Sequence, residues 1–308
     1  MTTHPSRVSS KGRVVCPSRP SALIVSVGLL VSSLVIGSLA TGAGASSQRH
    51  SGAVNVLYAG SLFDLMQQQI GPAFHKATGY TLNGVSDGSS ALANEIKGGT
   101  QVGDIFISAS PSVDASLMTS TNGNWVTTYR LFGRSALELG YNPSSSFAKS
   151  LRKLPWYDVI GRSGFRLGRT DPATDPKGVL AVDALTGVAL SYDVPHLASL
   201  ASATSNVFTE TSLVGELQAG QLDAGFFYAV EAKAAHLMTV PLVGTGLYAD
   251  FTVALLNRAP HRSAAQAFIS FLLGRQGRKI LSANGISPVV PAQTFNSSNI
   301  PSPTTLGS

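Results

Sequence analysis

Two turns in the first half of the chain carry the residue types that hold a small anion. The β-rich run 54–59 leads into Gly60-Ser61 and then a helical stretch over 62–76. The run 81–85 leads into Asp87-Gly88-Ser89-Ser90 and a helix that continues through Ile96. A helix start offers unpaired backbone N–H groups and the positive end of the helix dipole, so it favours anions. Glycine lets the backbone approach a ligand closely, and the hydroxyls of Ser61, Ser89 and Ser90 can donate. Each serine also has a plainer reading as a helix N-cap, and Ser61 with Asp64 matches the Ser-x-x-acid capping pattern.

Other residues carry paired readings. Asp175, in the loop 170–178 (TDPATDPKG), either shapes a turn or helix cap or faces a ligand. Lys177 either pairs with an anion or is a solvated surface lysine. Trp156 and Tyr157 are either a stacking platform or core aromatics. A carboxylate facing the cavity, Asp87 or Asp175, would favour phosphate, whose proton needs an acceptor.

Catalysis finds little support, and no enzyme is expected. There is no G-x-S-x-G elbow, no H-E-x-x-H and no Cys/His cluster, and the six histidines are scattered. Neither a free metal ion nor a cofactor is expected. Without a P-loop the chain cannot be a transporter's own ATPase.

Short β-rich runs alternating with helical patterns must position these turns, which indicates an α/β fold. The strand 105–109 feeds Ser110-Pro111 and another helix. A helix over 179–190, one from 209–212 through Ala219, a strand 224–228 and a last helix 263–273 continuing to 283 complete the pattern. The 308 residues suit two domains, and 44% hydrophobic against 12% charged residues supply a large core.

The formal charge of +6 is concentrated at one end. Without Arg7, Lys11, Arg13 and Arg19 it is +2, so no basic patch is left for nucleic acid. Those residues precede the apolar run 22–40 and the small-residue site Ala43-Gly44-Ala45, the parts of a secretory signal over 1–45. An uncleaved membrane anchor is the alternative reading, since the run approaches the ~20 residues that span a bilayer. Export to the periplasm or the outer face of the membrane is expected, free or tethered. The lone Cys16 precedes the apolar run, so a mature chain beginning after Ala45 has no disulfide.

The chain resembles the molybdate/tungstate-binding proteins of ABC importers. The resemblance rests on Ala59-Gly60-Ser61-Leu62, Gly88-Ser89-Ser90-Ala91-Leu92 with Glu95-Ile96, and the run 103–109 (GDIFISA). It continues through Pro155-Trp156-Tyr157, Thr170-Asp171-Pro172, Asp175-Pro176-Lys177-Gly178 and the run 217–228 (LQAGQLDAGFFY), in the family's order over most of 53–291. It implies a two-lobed periplasmic-binding-protein fold of type II, each lobe a mixed sheet flanked by helices, with a hinge that closes over the anion. Lobe 1 is expected from 53–133 plus 246–291, lobe 2 from 134–245, and a flexible tail from 292–308. Ser61 matches the first binding serine, and Ser89 or Ser90 the second. Asp175 to Gly178 and the Glu210-Thr211 turn match ligand-facing backbone, and Tyr228 a tyrosine that contributes its hydroxyl. Some archaeal-type relatives place two carboxylates on the oxyanion's metal centre. Asp175 resembles the first, and the second falls at Phe227, which implies an anion held by neutral hydrogen-bond donors. The implied partners are a membrane permease and the oxyanion, with the protein a monomer. Sulfate, phosphate or another small anion, and an anchored sensory domain, are the other readings.

Overall fold

The computed structural model describes residues 51–300. The basic segment, the apolar run, Cys16 and the Ala43-Gly44-Ala45 site lie outside the described residues. Among the described residues no helix is long and apolar enough to cross a membrane.

Ten strands form the frame: β1 (Ala53–Ala59), β2 (Thr81–Asp87), β3 (Ile105–Ser108), β4 (Val126–Tyr141), β5 (Leu167–Thr170), β6 (Val207–Phe208), β7 (Ala224–Tyr228), β8 (Met238–Pro241), β9 (Tyr248–Leu256) and β10 (Ser287–Asn296). Their order is β2-β1-β3-β9-β4-β7-β5-β6, with β8 and β10 also on β4. The sixteen-residue β4 joins two mixed halves. It pairs antiparallel with β9 up to Ala136↔Tyr248 and with β7 from Leu137↔Tyr228 onward. β1 is parallel to β2 and β3 in one half, and β5 to β7 and β6 in the other.

The inner parallel strands are buried on both faces because helices cover them, whereas the edge strand β2 is largely exposed. β3, β5 and β7 are buried at every position. One core cluster gathers Val54, Val56, Ile105 and Ile107 beneath Phe74 and Phe268, and the same cluster continues to Trp156, Leu185 and Phe226. Phe74 packs edge-on to Phe268 at 5.1 Å between ring centres. Trp156 is core, as its second reading had it: it is 1% exposed and donates from Nε1 to the Val243 carbonyl at 3.0 Å. Tyr157 is half-buried against Tyr192.

Two element boundaries differ from the sequence reading. The helix expected over 62–76 begins as a 3-10 turn at Gly60–Leu62 and carries a π segment at Met66–Ile70 before Gly71–Thr78. Residues 292–296, expected in a tail, belong to a strand. β10 runs to Asn296, with Gln293 opposite Leu131 and Phe295 stacked on Tyr129, because the Ser/Pro/Asn-rich composition hides a paired edge strand.

Candidate functional site

β1, β2, β5 and β7 all run parallel within their halves, and each ends at a helix start. In open α/β sheets ligands collect outside such carboxyl ends. Here residues from both halves meet. A methyl added to Gly60 would fall 2.3 Å from Glu210 Oε2, so the Glu210 carboxylate lies directly on the first turn. A methyl on Gly88 would fall 2.4 Å from the Thr174 carbonyl oxygen and 3.3 Å from Asp175 Cβ.

Ser61 is 4% exposed and its Oγ has no protein partner. It caps no helix, because the Gly60–Leu62 turn has no side-chain cap and neither does the helix that follows. The capping reading of Ser61 with Asp64 therefore fails. Ser89 is 1% exposed and accepts from the Ala109 N–H at 3.1 Å, so its own proton is free to donate. Ser90 is half-buried, and its N–H and that of Ala91 both donate to the Thr174 carbonyl at 3.1 Å. The backbone donors at this helix start thus face the other half's peptide in the structure.

Asp175 takes both of its readings, one with each oxygen. Oδ1 accepts from the Lys177 N–H at 2.9 Å and caps the Pro176–Ser191 helix. Oδ2 is buried without a partner. Burial pushes this carboxyl up, against the opposing pull of Lys177. Thr170, at the end of β5, is 1% exposed and its Oγ1 is also unpartnered. Asp87, by contrast, is exposed and accepts from the Gly88 N–H.

Lys177 is neither solvated nor free for an anion. It is fully buried, with Nζ 2.9 and 2.7 Å from the two oxygens of Glu231 and 3.3 Å from Glu210 Oε1. The nearby rings of Phe227 and Tyr228 lie 5.6 and 5.9 Å from Nζ. Burial works against this ammonium, but Glu231, Glu210 and Asp175 outweigh it and hold its pKa above the usual lysine value. Glu210 is 6% exposed, and its ion pair with Lys177, through Oε1, is longer than either contact that Glu231 makes. Burial, and then repulsion from Asp175, push its carboxyl well up. Tyr228 is fully buried with an unpartnered hydroxyl, and burial with the surrounding carboxylates keeps it protonated.

The structure also places Phe227, Glu210 and Thr211. Phe227 borders the cluster through its ring, 5.6 Å from Lys177 Nζ. It packs with Leu213, Leu217 and Leu222 while Tyr228 reaches the cluster. The Glu210 carboxylate also reaches this cluster, through its side chain, over Gly60 and 3.3 Å from Lys177 Nζ. Thr211 is exposed and its hydroxyl stands 3.5 Å from that of Thr209, so its side chain stays out of the cluster and only its backbone could face a ligand. Thr170 and Glu231 do join it and were not singled out. Nothing local marks Glu231, whose only signal is a long-range pairing with Lys177.

The chain matches the family model for bacterial extracellular solute-binding proteins over residues 54–287. It belongs to this family. Among the relatives of this solute-binding protein is a molybdate/tungstate-binding protein of Pyrococcus abyssi, 24% identical over 87% of this chain and 93% of that one. A putative ABC transporter molybdenum-binding protein of Haloferax volcanii is 28% identical over 71% of this chain and 66% of that one. The periplasmic molybdate-binding protein of Azotobacter vinelandii shares the fold, with a TM-score of 0.58 at 19% identity over 77% of this chain and 99% of that one. The sulfate-binding protein of Mycobacterium tuberculosis also shares the fold of this solute-binding protein, with a TM-score of 0.58 at 17% identity over 79% and 88% of the two chains.

Proposed function

We propose that this solute-binding protein captures a tetrahedral oxyanion, molybdate or tungstate, between its two halves and delivers it to the membrane permease of an ABC importer. One observation carries the reading. Ser61, Thr170, Asp175 and Tyr228 bring buried side-chain oxygens without hydrogen-bond partners to the meeting point of β1, β5 and β7, beside a Glu210 carboxylate held only by its 3.3 Å ion pair with Lys177. Buried polar groups are normally satisfied, so such a group of orphans awaits a ligand. Hydroxyls that donate suit the oxyanion's oxygens. The similarity to molybdate- and tungstate-binding relatives supports the ligand class, and the family supports work outside the cytoplasm. Opening and closing about β4 and the segment before β9 would admit the anion to this junction, where residues of the two halves already meet.

Charge sets the condition for binding. Asp175, Glu210 and Glu231 surround one ammonium, so a dianion entering fully ionised carboxylates would be repelled. Burial raises the pKa of Asp175 and Glu210, and a carboxyl that keeps its proton donates to the oxyanion instead. The protonated form binds better, so affinity rises as pH falls and each binding event takes up protons. Titration calorimetry of molybdate at pH 6 and pH 8, in buffers of different ionisation heat, should show tighter binding at pH 6 and a buffer-dependent enthalpy. Equal affinity at both pH values with no proton uptake contradicts this part of the reading. X-ray absorption of the complex then separates carboxyls that donate to the oxygens from carboxylates on the metal centre, by a tetrahedral or an expanded shell.

A second reading has its own observation. The unpartnered Asp175 Oδ2 is the acceptor that a phosphate proton needs. Phosphate binding tighter than molybdate would favour it.

A further inference from the structure

Glu231 follows Tyr228 by one turn, on the short helix Ala229–Ala234. Its two carboxylate oxygens both accept from Lys177 Nζ, at 2.9 and 2.7 Å. Glu210 Oε1 stands farther off, 3.3 Å from the same nitrogen, and Glu210 Oε2 lies over Gly60. One buried ammonium is therefore shared unequally between two buried carboxylates, and the weaker share falls to the one beside Ser61. We infer that Glu231 is a positioning residue: by engaging Lys177 with both oxygens it keeps the ammonium off Glu210 and leaves the Glu210 carboxyl free for the bound oxyanion. The inference rests on the oxyanion reading above.

The competition is a local one. Lys177 has no exposure to solvent through which to satisfy a lost partner, so it must turn to what is in reach. With Glu231 neutral, one oxygen at most still accepts there and Glu210 becomes the nearest anionic partner; a shift of a few tenths of an ångström converts the 3.3 Å ion pair into a charge-assisted hydrogen bond. Glu210 would then be held ionised against the lysine. An incoming anion would have to break that bond and meet an added negative charge. A role limited to neutralising Lys177 makes a different forecast. Loss of Glu231 would then weaken folding, without any dependence of binding on Glu210.

The test is a double-mutant cycle with molybdate as the probe, read by titration calorimetry on the wild-type protein, Glu231→Gln, Glu210→Gln and the double variant, with circular dichroism as the check on folding. Glu231→Gln is expected to weaken molybdate binding by about tenfold or more, in line with the strength of a charge-assisted bond. In the Glu210→Gln background the same change should cost about twofold or less, because the group it releases is gone. Glu231→Asp, which keeps the charge on a shorter arm, should recover part of the loss and serves in place of Glu231→Gln if that variant does not fold. Wild-type affinity in Glu231→Gln, or an equal penalty in both backgrounds, overturns the positioning role while leaving the oxyanion reading intact. A wild-type protein that binds no oxyanion overturns both.

Discussion

Replacing Lys177 with methionine should destabilise the protein by about 3–5 kcal/mol at pH 8, the cost of leaving a buried charge without its partner. Methionine fills much of the lysine's volume, so the effect isolates the charge rather than a cavity. Glu231 would lose both of its hydrogen bonds and Glu210 its only cation, each in a site closed to water. The loss should shrink at pH 5.5. The reason lies in linkage: without Lys177 the two carboxyls can fold only by holding protons, which the unfolded chain, with carboxyls titrating near 4, gives up as pH rises. Urea unfolding at the two pH values checks this. A loss below about 1 kcal/mol at pH 8 would mean that Lys177 is not paired as the structure has it.

Gly88→Ala should leave folding almost unchanged and weaken oxyanion binding by about tenfold or more, since overpacking of a tight contact costs ~1–3 kcal/mol. Gly88 has φ −55°, a conformation any residue adopts, so no backbone strain arises within its own half. The added methyl meets the Thr174 carbonyl of the other half at 2.4 Å, and backbone cannot swing aside as a side chain can. That carbonyl also receives the N–H groups of Ser90 and Ala91. A clash there acts on closure of the halves alone. Thermal unfolding without ligand and calorimetry with molybdate separate the two effects, and small-angle scattering should show less compaction on binding. Unchanged affinity would place the binding event outside this junction.

Much of the fold was legible because it is local. β7 runs from Ala224 to Tyr228, where the alternation from strand to turn ended, and Ser110 precedes the helix begun by Pro111. Thr209 caps its helix by accepting from the Ser212 N–H, as a threonine at a helix start does. The site was legible in part. Ser61 and Tyr228 carry unpartnered hydroxyls among the carboxylates, and Asp175 turned out to cap and to face the cluster at once. What stayed hidden depends on three-dimensional pairing. Lys177 looks like any lysine in a helix start until Glu231, 54 positions away, removes it from solvent. Glu210 looked like backbone at a turn, because only the glycine at position 60, on the other half, gives its carboxylate room.

The central claim is that the orphaned oxygens around Ser61, Asp175, Glu210 and Tyr228 hold a tetrahedral oxyanion. The most direct test titrates molybdate, tungstate, sulfate and phosphate separately into the purified protein and into Ser61→Ala. Molybdate and tungstate should bind more tightly than sulfate and phosphate, and loss of the Ser61 hydroxyl should weaken them by about 1–3 kcal/mol. Heats no larger than dilution for all four oxyanions, or molybdate binding indifferent to Ser61, would contradict it.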